Sequence, residues 1–418
     1  MSPHLRPTLV SLTGPIVFLL CFFLPNVLFS MQLGSTEGTT ALTLNAEYDD
    51  NINLSSGTKQ NAAIKDDILL HVIPAIDLTH SYLDHAVHFN LTGDYRKGTD
   101  SNISDINTKT SADIALNFPG GLSLGFFDLY TNTTFDQQLD DESGLSDNRS
   151  NRYEVNAAHK FGVRLRAEGR YEHTWKEFDD QPDKRVYDTD TVEGRVTVPV
   201  STSWEAYITG FFETLDSEQA KERNRDDRRS VLGLQWSGAY RFSLWLEGGY
   251  EQIDYEASEK EDFAEPMGEI GGKITFTPRS SMSLSLGKNG YGNLKYAGLL
   301  SHNYDDKLNI QLSVNKDTNT SFSTTLDEDI YERTKFQLAL RTTFMNRFLA
   351  NFIGSYQVLD YGEFSEPVKT WLGKMSVDYP IQGWIKVGGH YQYSFRKSDH
   401  TETEYDNNRI GLFVTFSI

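Results

Sequence analysis

The stretch "LNIQLSVN", residues 308–315, alternates without a break. Leu308, Ile310, Leu312 and Val314 fall on one side of an extended chain, and Asn309, Gln311, Ser313 and Asn315 on the other. Side chains of a strand point alternately to its two faces, so this octet reads as a strand with one apolar and one polar face. The same alternation recurs from residue 41 to the end. It is plain in "AVHFNLTGDY" (86–95), "GVRLRAEGRYEH" (162–173), "RTKFQLALRTTF" (333–344) and "IKVGGHYQYSFR" (385–396).

Two architectures use such strands. In water the apolar face packs on a core and the polar face meets solvent; in a bilayer the apolar face meets lipid and the polar face lines a lumen. Three features select the bilayer. The strands run to about 10–14 residues, against ~5–6 in soluble sheets and the ~9–11 that a tilted membrane strand needs. The connections alternate in length: "FPGGL" (118–122), "KFG" (160–162) and "MNRF" (345–348) are short, whereas 132–151, 176–185, 216–227 and 317–332 are long and polar. Outer-membrane barrels have that rhythm of short periplasmic turns and longer external loops. Finally, aromatics gather where strands meet connections: Tyr130, Phe161, Tyr171, Trp175, Trp204, Tyr240, Phe242, Tyr250, Phe344, Phe348, Tyr361, Trp371, Tyr379 and Trp384. Such residues form interfacial girdles.

The expected fold is all-β, a transmembrane antiparallel up-and-down β-barrel of about 20 strands without a plug domain, with 18 as the alternative count. The Gly-rich stretch 282–304 is the weakest part of the count. Barrels of roughly 16–18 strands already enclose an aqueous channel, so the lumen is expected to be wet unless a loop folds in. The loop 135–150 is the candidate for that.

Composition agrees. The chain has 418 residues, a net charge of −20 and 38% hydrophobic residues, yet 25 Phe and 21 Tyr. The acidic balance excludes nucleic acid as a partner. The one cysteine, Cys21, lies in the apolar N-terminal segment, so no disulfide framework or Cys-ligated metal is expected, and no cofactor of any kind. Residues 1–30, with Arg6 ahead of an apolar heart at 16–24, read as a secretory signal peptide cleaved near Ser30. Residues 31–40 are then a short periplasmic segment and 41–418 the barrel. The expected address is the outer membrane of a Gram-negative bacterium, among its lipid and lipopolysaccharide.

Alternation assigns the lumen. The candidate lining residues are Arg164, Arg166, Arg170, Arg195, Arg341, Lys386, Glu168, Glu193 and Glu205. Arg164, Arg166 and Arg170 share one strand. They either contact an anionic solute or pair with acids across strands and hold the wall together. No phosphate loop, metal-spaced His pair or Ser/His/acid constellation is present, so no enzyme activity is expected. The strongly acidic external loops leave a structural or adhesive surface role open.

The chain ends on "RIGLFVTFSI" (409–418), with Ile410, Leu412, Val414, Phe416 and Ile418 on one side. This is a last strand that closes on the first. Arg409, Gly411, Val414 and Phe416 resemble the C-terminal signal read by the barrel-assembly machinery, although the final residue is Ile418 rather than an aromatic.

"LTLNAEYDDNINLSS" (42–56), "DDILLHVIPAIDL" (66–78) and "TPRSSMSLSLGKN" (277–289) resemble segments of the β-barrel porin type 2 family. That resemblance implies an outer-membrane conduit for exopolysaccharide, working with polysaccharide-export proteins. A general or solute-specific diffusion porin is the alternative.

Overall fold

The computed structural model describes residues 36–418 apart from 52–65, 101–102, 137–144, 181–182, 218–223, 239–240, 258–261, 305–306, 321–329, 346, 362–365 and 398–403. Residues 1–30, where a signal peptide is expected and Cys21 lies, residues 31–35 and Tyr240 lie outside the described residues. The described chain forms one sheet of twenty strands, from β1 (Thr36–Asp49) to β20 (Tyr405–Ser417). Each strand pairs antiparallel with its sequence neighbours, and β1 also pairs with β20 from Ala41↔Ser417 to Asp49↔Arg409. The sheet is therefore a closed barrel, and the count of twenty holds. No described helix is long and apolar enough to cross a membrane.

β1 begins earlier than the alternation predicts. Thr36 pairs with His80 and Thr40 exchanges two backbone hydrogen bonds with Ile418, each 2.8 Å. Residues 36–40 are thus wall rather than periplasmic tail, because unpaired β2 and β20 backbone would otherwise be left there.

Several predicted loops are also strand. β5 (Leu122–Asp136) and β6 (Leu145–Phe161) extend far into 132–151, and β7 (Leu165–Asp180) and β8 (Asp183–Pro199) leave only two residues between them. Their polar sequences need no apolar face, since they stand above the bilayer. The described part of 135–150 thus continues the wall and does not constrict the lumen.

The outward face carries the apolar band. Leu412, Ile410, Leu232, Ile270 and Leu246 are 71%, 56%, 66%, 58% and 57% exposed, values for an aqueous core that make no sense and for a lipid face that are required. At the short-turn end, Phe344, Phe348 and Tyr379 pack in series (centroids 4.9 and 4.7 Å), and so do Trp204, Trp236 and Phe242 (6.3 and 5.8 Å), the last pair edge to face. At the other end Tyr356 meets Trp371 at 4.2 Å. Tyr361 does not belong to a girdle. It follows β17 (Phe348–Asp360) on the inward parity, is 1% exposed, and packs with Tyr331, Leu359 and Val368.

That cluster marks where a core exists. Tyr187, Leu215, Ile253, Leu359, Tyr361 and Tyr405 face inward near the external ends of their strands and are at most 3% exposed. Inward side chains at the periplasmic end stay open: Arg166 is 51% and Lys386 43% exposed. The lumen is packed around its outer rim and open below.

Substituting Leu412→Arg, which places a charge in the apolar band, is expected to cost about 2–4 kcal/mol of folding stability. Denaturant unfolding of the protein in lipid vesicles checks this, with Asn309→Arg on the luminal face as the tolerated control.

Candidate functional site

Inter-strand register decides which luminal charges meet. On β6–β8, Glu154 lies opposite Glu172, Asn156 opposite Arg170, Glu168 opposite Arg195, and Arg170 opposite Glu193. Repulsion between the paired glutamates is relieved by arginines from neighbouring rows. Arg152 bridges Glu154 (3.1 Å) and Glu172 (3.0 Å); Arg170 reaches Glu154 at 3.0 Å and also contacts Glu172. Arg166 holds Glu168 at 2.5 Å. Arg195 lies over the Tyr207 ring at 3.7 Å, and the Tyr207 hydroxyl donates to Glu247. Lys386 approaches Asp378 at 3.5 Å. Of the predicted lining residues, Arg166, Glu168, Arg170, Glu193, Arg195, Glu205, Arg341 and Lys386 take the inward parity. Arg164 does not line the wall: it sits in the exposed turn before β7, beyond Gly162 at φ 65°. The alternation of 162–173 runs through that turn, so parity alone could not place the strand end.

The seam is bonded on both faces of its ladder. Arg409 Nε lies 2.7 Å from Asp49, which is fully buried, and His390 lies 2.6 Å from Glu47. Asn408 Nδ2 donates to Asp50 at 2.8 Å. Gly411, whose Cβ would run into the His390 ring, leaves room for that histidine to reach Glu47. The positions that resemble an assembly signal serve closure: Arg409 and Gly411 inward, Val414 and Phe416 outward. Other histidines are wall partners too: His71 with Asp94 (3.0 Å) and His88 with Asp77 (2.9 Å).

A different surface covers β11 (Phe242–Tyr255) to β16 (Ile330–Phe344). One inward row reads Trp245, Gly271, Ser285, Ala297, Asn315 and Lys335, each opposite the next. Small side chains make this wall recede, and a cavity of about 510 Å³ results, with Ser283, Ser313 and Arg333 also at its edge. A Cβ on Gly271 would fall inside the Trp245 indole, so the ring rests flat on that glycine. Its Nε1 donates to Glu269 at 3.1 Å, and Lys295 holds Glu269 at 2.8 Å. At the far end Arg333 and Lys335 have no ion pair among the described residues. The alternation of 333–344 puts Arg333 and Lys335 on its polar side; only the register shows that they share a trough with Trp245.

Above the trough, the connection between β13 (Ser280–Lys288) and β14 (Leu294–Tyr304) turns inward. A Cβ on Gly290 would run into the Glu251 side chain, two strands away. Tyr291 packs on Phe263 at 4.9 Å, and Asn289 Nδ2 donates to Thr318 at 2.6 Å. Burial holds the Tyr291 phenol above its ordinary range. Gly292, at φ 83°, supplies the left-handed step. Among the described residues, this turn narrows the lumen.

No protein-family model matches the chain, and no curated protein does. Solved structures are similar in fold. A variant of the ferric enterobactin receptor of Pseudomonas aeruginosa, in complex with enterobactin, aligns with TM-score 0.50 at 7% identity, over 91% of this chain and 81% of that one. OpdK of the same organism, with vanillate, gives 0.40 at 10% identity over 91% and 98%. OccAB4 of Acinetobacter baumannii gives 0.40 at 12% over 93% and 99%. These likenesses are of fold alone. With its closed sheet and outward apolar band, the chain is an outer-membrane β-barrel.

Replacing Gly290 with leucine is expected to push the turn off Glu251 and widen the lumen. A larger single-channel conductance in planar bilayers is the measurement.

Proposed function

We propose that this barrel is a non-enzymatic outer-membrane channel through which small hydrophilic solutes diffuse. One observation carries the reading: below its outer rim the described inward face is largely polar and charged, and it is open at the periplasmic end, while inward packing at the outer rim and the β13–β14 turn narrow the external end. A passage of that form filters small solutes; a wide conduit for a polymer needs a clear outer mouth. The ion-paired sector on β6–β8 is scaffold for the wall, and Lys109, Lys273, Arg333, Lys335 and Arg341, which have no ion pair among the described residues, supply cationic positions along the path.

Export of exopolysaccharide is the second reading, favoured by the segments 42–56, 66–78 and 277–289 that resemble the β-barrel porin type 2 family. Membership of that family and partnership with export proteins are part of that reading. Unchanged polymer secretion in a strain lacking this gene would count against it.

Reconstituted protein is expected to give steady ohmic conductance. Arg170→Gln, which leaves Glu154 and Glu172 facing each other with one arginine fewer, shifts the reversal potential in a salt gradient toward cations. Absence of any conductance overturns the channel reading.

A further inference from the structure

The trough on β11–β16 combines features that the rest of the described lumen keeps apart. It has an aromatic face lying flat on the wall, a floor of hydroxyl, amide and methyl groups, and cations without carboxylate partners at the opposite end. From Gly271, where the indole rests, to Lys335 there are four inter-strand steps of ~4.8 Å, about 19 Å of wall. A single carboxylate-bearing ring reaches one end or the other. A ligand using both is elongated, anionic, and rich in hydrogen-bonding groups along its length.

We infer that this trough is a binding subsite for a short acidic saccharide chain, one ring stacked on Trp245 and an acid group at Arg333 and Lys335. The inference rests on the channel reading. Each part of the trough has a matching part in such a ligand. The flat indole offers a π-face to the carbon-bound hydrogens of a sugar ring, and its Nε1 is already committed to Glu269, so it presents its face rather than its edge. Ser283 and Ser313 each offer a donor and acceptors, and Ser285, whose hydroxyl donates to Glu269, offers an acceptor, as a chain of hydroxyls requires. Arg333 can grip a carboxylate with two parallel bonds while Lys335 adds a point charge. A neutral sugar would leave both cations unused. A peptide of Asp and Glu alone would have no ring to place on the indole.

The test uses the full-length protein in planar bilayers, with trigalacturonate, maltotriose and triglutamate as blockers of the ion current. Trigalacturonate is expected to interrupt the current. Trp245→Ala is expected to weaken that block about tenfold, the loss of one stacked ring, and the pair Arg333→Gln with Lys335→Gln by about tenfold or more, since at least one charged hydrogen bond goes with them. Both variants must keep the heat-dependent gel mobility of a folded barrel. Equal block by maltotriose or triglutamate overturns the inference, as does block unchanged in the variants. Conductance without block overturns it while leaving the channel reading standing. If no current appears, the channel reading fails instead, and calorimetric titration of trigalacturonate into detergent-solubilised protein decides the subsite. Binding that is lost in the variants supports it, and absent binding overturns it.

Discussion

Hydrocarbon offers no partner to a backbone N–H or C=O, and every other feature of this barrel follows from that constraint. An open sheet of twenty strands would leave two edges of unpaired groups in lipid. The β1–β20 ladder removes both, and its side chains reinforce it: Arg409 with Asp49, His390 with Glu47, Thr43 with Thr415 at 2.8 Å. Because the last strand is made last, closure depends on residues far apart in sequence. The polar inward members of the seam set its register, and the apolar outward members would fit lipid under any shift of two.

Closure also fixes what each face must do. Outward positions cannot hold ions in the band, and inward positions meet water, so the luminal wall is where charge can vary. The wall uses that freedom in two ways. On β6–β8 arginine and glutamate neutralise each other within one or two rows, which stiffens long strands that project beyond the bilayer. On β11–β16 the charges are spaced apart by small residues, and the cations at the far end keep their bonding capacity.

The period-2 pattern was enough for the fold class, the count of twenty and the inward parity of nearly all the luminal charges, since a one-residue error would reverse every face at once. It could not mark where pairing stops. Arg164 continues the alternation yet lies in a turn, and Tyr361 sits at a strand end like a girdle residue yet faces inward. Residues 36–40 and the hairpin of β7 and β8 look like loops because strands above or below the bilayer need no apolar face. The trough was legible residue by residue but not as a site, because register between distant strands depends on turn geometry.

The trough and the in-folded turn have one cause. Gly268, Gly271 and Gly287 let neighbouring groups close in on β12 and β13, and β13 is only nine residues long. A strand that stops early delivers its turn at the level of its neighbours' inward side chains, where Asn289 and Tyr291 find Thr318 and Phe263. The same small residues that let the turn reach inward keep the wall below it low. The in-folded turn therefore stands directly over the trough, so a solute that clears the turn meets Trp245 and the serine floor next.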